Sequence, residues 1–266
     1  MKYLFFDVDG TLLPFGLDMP KSTREALRLA QENGHKIFLS TGRSPAELNP
    51  ALREISFDGG IYAGGARADA ENVKVYESFF SRSDLEALYS LAKERNWKLI
   101  VQTTTGSFMK EDMHIALFDL FLKHNGRILE IDNLIVVDSL PYPENATKLI
   151  VLTPDNDIKE IREELRGRYD VIDNTMGVPL DACAELMQKG ISKATGLSRI
   201  LSFYGADIKD SIAFGDGAND IEIIEEAGLG IAMGNASDEL KAKADYVTSD
   251  ILEDGIYNAL RHFGVI

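Results

Sequence analysis

Cysteine is nearly absent: Cys183 is the one thiol in 266 residues. An internal disulfide is therefore impossible, and a soft-metal site has no second thiolate to draw on. That usage suits a reducing cytoplasm, which is the expected location. Histidine is sparse as well, and His35, His114, His124 and His262 stand at no metal-ligand spacing. His114 and His124 are expected to be solvated or packed. No apolar stretch approaches the roughly 20 residues that cross a bilayer. The opening Met-Lys-Tyr reaches Asp7 without the basic start and apolar run of a secretory leader, so none is expected. Basic side chains are outnumbered, 28 against 43 acidic, leaving a net charge of −15. Such a field repels nucleic acid and anionic membranes, and neither is an expected partner. Repeats and low-complexity tracts are also missing.

What is present is the balance of a globular protein, 45% hydrophobic and 27% charged. The length suits two domains, one inserted in the other. The opening reads as βαβ: an apolar strand at Lys2–Phe6, a helix at Ser22–Asn33 and a buried strand at Ile37–Leu39. Ser22 with Glu25 has the form of a capping box, and Gly34 that of a helix stop. The last third has the same texture. Helices are expected at Ser192–Tyr204, Ile221–Ala227 and Ile251–Phe263, and strands at Ser211–Phe214, Leu229–Met233 and Tyr246–Thr248. Strands alternating with helices predict an α/β fold, a Rossmann-like doubly wound parallel sheet with helices on both faces. The stretch 81–187 differs. It carries helices near Leu85–Arg95, Asp112–Lys123 and Ile158–Arg168 and strands near Leu99–Thr103, Lys148–Leu152 and Val171–Asn174. It reads as a separate inserted α/β unit, with 1–80 and 188–266 forming the core.

Chemistry concentrates where apolar strands end. Phe5-Phe6-Asp7-Val8-Asp9-Gly10-Thr11 runs a strand into two carboxylates two positions apart. Extended backbone would aim both the same way, out of the carboxyl end where open α/β sheets bind ligands. A solvated turn is the plainer explanation of Asp and Gly together. Ile37-Phe38-Leu39-Ser40-Thr41-Gly42-Arg43 ends another strand in a hydroxyl, a glycine and a base, the makings of an anion cradle or of a simple strand-to-helix link. Ser211-Ile212-Ala213-Phe214-Gly215-Asp216-Gly217-Ala218-Asn219-Asp220 ends a third strand in acids, where Asp220 could merely cap a helix. Lys189-Gly190-Ile191-Ser192-Lys193 opens a helix with a cation, which the helix dipole does not favour.

Together these pieces would gather Asp7, Asp9, Asp216 and Asp220 in one crevice. Two like charges about 4 Å apart repel by roughly 4 kcal/mol at an effective dielectric near 20. A hard divalent cation with oxygen ligands removes that conflict, and Mg²⁺ suits a site that also takes a phosphate oxygen. Lys193 adds a point charge for phosphate. Carboxylates, metal and lysine fit phosphoryl transfer to or from a small phosphorylated metabolite.

These four segments resemble the haloacid dehalogenase-like hydrolases, the Cof-like sugar-phosphatase branch in particular. The family's Asp-x-Asp-x-Thr is matched by Asp7-Val8-Asp9-Gly10-Thr11 and its Thr-Gly-Arg by Thr41-Gly42-Arg43. Its Lys-Gly-x-Ser-Lys falls on Lys189 to Lys193, and its Gly-Asp-x-x-Asn-Asp on Gly215 to Asp220. The resemblance implies a nucleophile at Asp7, a general acid/base at Asp9, and catalytic support from Thr41 and Lys193. It places a Mg²⁺ on the Asp7 side chain, the Asp9 main-chain carbonyl and the Asp216 side chain, with Asp220 in an outer or water-mediated role. Phosphate would rest on Thr41, the Gly42 N–H, Lys193 and Asn219, with Val8 beside them, and the inserted unit would be a cap that selects the substrate. Two departures stand out: Gly64-Gly65-Ala66 where relatives carry Asn-Gly-Ala, and Ile221-Glu222-Ile223-Ile224 without the methionine often found there.

Three rival readings have discriminating features. Gly228-Leu229-Gly230-Ile231-Ala232-Met233-Gly234 imitates a dinucleotide fingerprint, but its third glycine is one position late and no helix follows. A phospho-acceptor signalling domain would carry its acceptor after the third strand and need about half this length. A phosphomutase of the same superfamily would form an isomer instead of free phosphate. Within the inserted unit, Thr103-Thr104-Thr105-Gly106 and the loop Asn174–Pro179 are candidates for leaving-group recognition.

Overall fold

The computed structural model describes residues 1–125, 133–153, 158–173 and 182–266. They form two compact units. Met1–Gly42, Asn49–Glu77 and Ser192–Ile266 make the first, and Arg43–Leu48 with Ser78–Ile191 the second. In chain order the first unit begins with β1 (Tyr3–Phe6), α1 (Lys21–Glu32), β2 (Lys36–Ser40), β3 (Gly59–Tyr62), β4 (Arg67–Ala70) and β5 (Val73–Glu77). The second contains α2 (Arg82–Arg95), β6 (Lys98–Thr103), β7 (Ser107–Lys110), α3 (Glu111–Asn125), β8 (Leu134–Val137), β9 (Ala146–Leu152), α4 (Ile158–Glu164), β10 (Tyr169–Asp173) and β11 (Cys183–Gln188). The first resumes with α5 (Lys193–Tyr204), β12 (Ser211–Gly215), α6 (Ile221–Glu226), β13 (Gly230–Ala232), α7 (Asp238–Lys241), β14 (Tyr246–Val247) and α8 (Gly255–His262).

The sheet of the first unit has the order β14-β13-β12-β1-β2-β3-β4-β5. It is parallel from β14 to β3, and β4 and β5 add an antiparallel edge. This is the expected α/β fold. β1 is central because it has no charged side chain to keep wet: Leu4, Phe5 and Phe6 are fully buried and Tyr3 nearly so. Phe5 stacks on Phe38 of β2 at 5.0 Å, and Phe6 on Phe214 of β12 at 4.9 Å. The chain leaves β1 toward β2 on one side and reaches β12 on the other, so strand order reverses there. Open α/β sheets offer their ligand crevice at such a point.

In the second unit the order is β10-β11-β9-β6-β7-β8, antiparallel except for the β7–β8 pair. Alternate residues face opposite ways, as strand geometry requires. Val101, Leu149, Val151 and Leu186 pack with Leu85, Leu88 and Ile161. Ile100, Met109, Ile150 and Cys183 pack with Met113, Leu117 and Phe121 of α3. Cys183 behaves as a small core residue, and burial pushes its thiol up to about 12.

Local expectations fail at identifiable places. α1 starts at Lys21 with Pro20 at its N-cap, so Ser22 lies inside the first turn and its hydroxyl caps nothing. The closing helix is two pieces: Asp254 sits at φ 62°, between a 3₁₀ turn at Ile251–Glu253 and α8. Thr-Gly-Arg leads not into a helix but into 3₁₀ turns at Pro45–Glu47 and Pro50–Glu54. Among the described residues no helix is long and apolar enough to cross a membrane.

Candidate active site

The site is built by the carboxyl ends of β1, β2 and β12 and the start of α5. β1 and β12 run parallel with Phe6 beside Phe214, and the Asp7 N–H donates to the Phe214 carbonyl at 3.0 Å. That register carries Asp7 and Asp216 out of the sheet as neighbours. Carboxylate oxygens of Asp7, Asp216 and Asp220 lie within 4.8 Å of one another. Lys193 lies among them with only 2% exposure. Its Nζ donates to Asp7 Oδ1 at 2.7 Å and to Asp220 Oδ1 at 2.6 Å. A surface lysine at a helix start would be solvated; this one spans two strand ends because buried carboxylates await it.

Asp220 does more than cap a helix. Its Oδ2 accepts the N–H groups of Asp216 and Gly217, both at 3.1 Å, which fixes the loop that presents Asp216. Two groups outside the expected set brace Asp216 and the turn beside it. Thr11 donates to Asp216 Oδ1 at 2.8 Å, and Asn235 links the Gly10 carbonyl (2.8 Å) to the Ile251 N–H (3.0 Å). Thr11 belonged to the first motif, where its hydroxyl could have been noticed. Nothing local marks Asn235, whose partners lie far along the chain.

β1 stops at Phe6, which corrects the expectation that Asp7 and Asp9 project as alternate members of one strand. Residues 8–13 form a turn instead, closed by the Leu12 and Leu13 N–H groups on the Val8 carbonyl. Val8 buries its side chain completely. Asp9 is half-buried, and its carboxylate is not one of the clustered three. The turn demands Gly10, at φ +91°, where an added Cβ would stand 2.2 Å from Asp216 Oδ2. Thr41 is buried at the end of β2, and its N–H donates to the Ile61 carbonyl at 2.8 Å. Gly42 follows it, and Asn219 is half-buried in the 3₁₀ turn Ala218–Asp220. The departure from Asn-Gly-Ala falls on Gly64, at φ 66°, and it is the matched Gly65 that has a packing role. Gly65 is at φ +109°, and a Cβ on it would meet the Ser192 carbonyl at 2.0 Å, one residue before Lys193.

Ionisation follows the crowding. Burial and then the neighbouring Asp220 hold the Asp7 carboxyl well above the usual carboxylate range, against the pull of Lys193. Asp216 is pushed up to about 7 by burial and Asp220, with the Thr11 hydroxyl opposing. Burial drags on the Lys193 ammonium, but Asp220 and Asp7 outweigh it and hold its pKa above the ordinary lysine value. With all three carboxyls ionised, one ammonium leaves two negative charges, and a divalent cation with oxygen ligands would balance them. The donor set therefore fits such an ion.

A carboxyl with a raised native pKa holds its proton more tightly folded than unfolded. Metal-free stability from these groups is thus full below the ordinary value of about 4. It is lost as pH rises toward the 7 of Asp216. The melting temperature gained on adding millimolar Mg²⁺ is therefore expected to be a few °C larger at pH 8 than at pH 5. Asp216→Asn should shrink that difference. Equal increments at both pH values would contradict the account.

In the second unit Thr103 spends its hydroxyl on the β6–β7 turn, donating to the Gly106 carbonyl at 2.7 Å, and Asn145 donates to the Thr104 hydroxyl at 2.8 Å. Asn174–Pro179 lies outside the described residues.

A parallel sheet whose central strands end in clustered acids and one buried lysine has the donor set of an α/β-fold enzyme of phosphoryl transfer. The family profile of haloacid dehalogenase-like hydrolases matches residues 4–260, and the chain belongs to that family. YkrA of Bacillus subtilis is 30% identical over 274 residues, covering 100% of this chain and 98% of its own. The 5-amino-6-(5-phospho-D-ribitylamino)uracil phosphatase YcsE of the same organism is 30% identical over 273 residues, 99% of this chain and 96% of its own. Among solved structures, the HAD subclass IIB sugar phosphatase BT4131 superposes with a TM-score of 0.82 at 30% identity, covering 100% of both chains. The chain is a phosphatase of this superfamily.

Proposed function

We propose that the protein is a Mg²⁺-dependent phosphomonoesterase that cleaves a small phosphorylated metabolite through an aspartyl-phosphate at Asp7. The observation that carries this reading is the Lys193 ammonium shared by Asp7 and Asp220 inside an otherwise acidic, buried cluster. Such a site spends considerable electrostatic energy to keep one carboxylate oriented. The likeness to BT4131 supports a sugar phosphate, and the likeness to YcsE a phosphorylated ribityl chain. A phosphate ester on a polyhydroxylated carbon chain covers both.

In this scheme an Asp7 oxygen attacks phosphorus in line, and the bond from phosphorus to the leaving oxygen breaks. Asp9, in its acid form, gives its proton to that oxygen as the alcohol departs. Asp9 then takes a proton from water, which attacks the phospho-aspartate and frees inorganic phosphate and Asp7. Splitting one displacement into two is the gain of covalent catalysis. Lys193, the Thr41 hydroxyl, the Gly42 N–H and Asn219 steady the phosphoryl oxygens. Mg²⁺ would be held by Asp7, Asp216 and the Asp9 carbonyl, with Asp220 behind them, and would supply positive charge for the oxygens. The second unit serves as the cap that meets the leaving group, and the cytoplasm is the proposed location.

A panel of sugar, polyol, nucleotide and cofactor phosphates, assayed for released phosphate with Mg²⁺ and with chelator, tests the reading. Release from polyhydroxylated esters that chelator suppresses at least a hundredfold is expected. Isomerised ester in place of phosphate would make the protein a phosphomutase, and inertness toward every ester would refute the proposal.

A further inference from the structure

The stretch Arg43–Leu48 continues directly from Thr41 and Gly42, yet it packs with the second unit although first-unit chain flanks it on both sides. It has no strand partner and only a three-residue 3₁₀ turn, so side chains must decide its conformation. One residue gathers most of those bonds. Glu47 is 5% exposed. Its Oε2 accepts the Gln102 amide at 2.8 Å and the Ser44 N–H at 2.9 Å, and its Oε1 accepts the Ser107 hydroxyl at 2.5 Å. Its own carbonyl accepts Arg43 Nη1 at 3.2 Å. Ala46 is held through its carbonyl by the Asn133 side-chain amide.

From this arrangement we infer that Glu47 is a positioning residue. It fastens the backbone just after the Thr41–Gly42 phosphate cradle, together with the Arg43 guanidinium, to β6 and β7. The inference rests on the phosphatase reading, because it assigns Glu47 a task in presenting Thr41 and Gly42. Three donors converge on one carboxylate, and none of them belongs to the acidic cluster of Asp7, Asp216 and Asp220. Charge itself is not required. A glutamine at 47 can turn its carbonyl oxygen toward Gln102 and the Ser44 N–H and donate its amide to Ser107, whose hydroxyl simply reverses. Glu47→Gln therefore keeps every bond, whereas Glu47→Ala strands two buried N–H donors and a hydroxyl.

The test compares these variants and Gln102→Ala on p-nitrophenyl phosphate and on a sugar phosphate, at a temperature where circular dichroism shows each one folded. Glu47→Ala is expected to lose roughly 10- to 100-fold in kcat/KM, the size of a small misplacement of a positioned group. The loss should be the same for both esters, with weaker inhibition by orthophosphate. Glu47→Gln should stay within about twofold of the wild type, and Gln102→Ala should add nothing to Glu47→Ala, since both cut one connection. Amide hydrogen exchange across 43–48 should quicken at least tenfold in Glu47→Ala and not in Glu47→Gln, a readout that needs no turnover.

Wild-type rates in folded Glu47→Ala, or unchanged exchange, would overturn the inference. Glu47→Gln as poor as Glu47→Ala would also overturn it, because the carboxylate charge would then be what matters. A loss confined to the sugar phosphate would make Glu47 a leaving-group contact and do the same. A wild type inert toward both esters would instead count against the phosphatase reading, and the exchange experiment would still decide whether Glu47 orders the segment.

Discussion

Asp7→Asn is expected to cut phosphate release by roughly four orders of magnitude or more, as loss of a nucleophile does elsewhere, while the protein stays folded. The two expectations have one cause. An amide oxygen can still accept the Lys193 ammonium that now bonds Asp7 at 2.7 Å. Removing one charge also relieves the crowding with Asp216 and Asp220. The metal-free melting temperature at pH 8 should thus equal or exceed that of the wild type. What the amide cannot do is form the phosphorus–oxygen bond and be regenerated. Phosphate release by stopped assay and a thermal melt together check the prediction. More than a tenth of wild-type turnover in Asp7→Asn would place the nucleophile elsewhere.

Lys193→Met should harm both stability and turnover, and the stability loss should depend on pH. The ammonium is the positive charge within hydrogen-bond reach of Asp7 and Asp220, and all three groups are buried. Removing one member of a buried, hydrogen-bonded ion set costs about 3–5 kcal/mol when its partners stay charged. At pH 5 the carboxyls can take up protons instead, since Asp7 and Asp216 already titrate high. The destabilisation of the metal-free variant should therefore be larger at pH 8 than at pH 5. Turnover should fall by about a thousandfold, because the site loses the charge that faces the phosphoryl oxygens. Denaturant midpoints at the two pH values and kcat with saturating Mg²⁺ give the answer. A variant equally stable at both, with near-normal kcat, would mean that Lys193 merely fills space.

The features legible from sequence were those whose cause is local. Buried parallel strands are continuous apolar runs, so β1, β2 and β12 declared themselves through Phe5, Phe38 and Phe214. The Asp and Thr residues at their ends, and the lysine that opens α5, followed from where α/β sheets bind ligands. Strands β3, β4, β5, β7, β8 and β11 were not legible. β5 buries none of its residues: Val73 and Lys74 are exposed, and Val75, Tyr76 and Glu77 half-buried. β11 buries Glu185, whose partner Lys148 is 37 residues away at 2.8 Å. A charged residue in a buried strand makes sense only once its counter-ion is beside it. Ser22 with Glu25 had a correct capping pattern at an incorrect place, because the N-cap is Pro20, two residues earlier.

The sequence alone determined the α/β class and the identities of the acids and the lysine, since hydrophobic periodicity and strand-end chemistry are written in neighbouring residues. Only the tertiary structure decided that Asp7, Lys193, Asp216 and Asp220 share one buried cluster while the Asp9 carboxylate stands outside it. It alone also decided that Glu47 binds its segment to β6 and β7. Contacts between residues 27 to 186 positions apart depend on strand register and chain reversal, and a linear pattern carries neither.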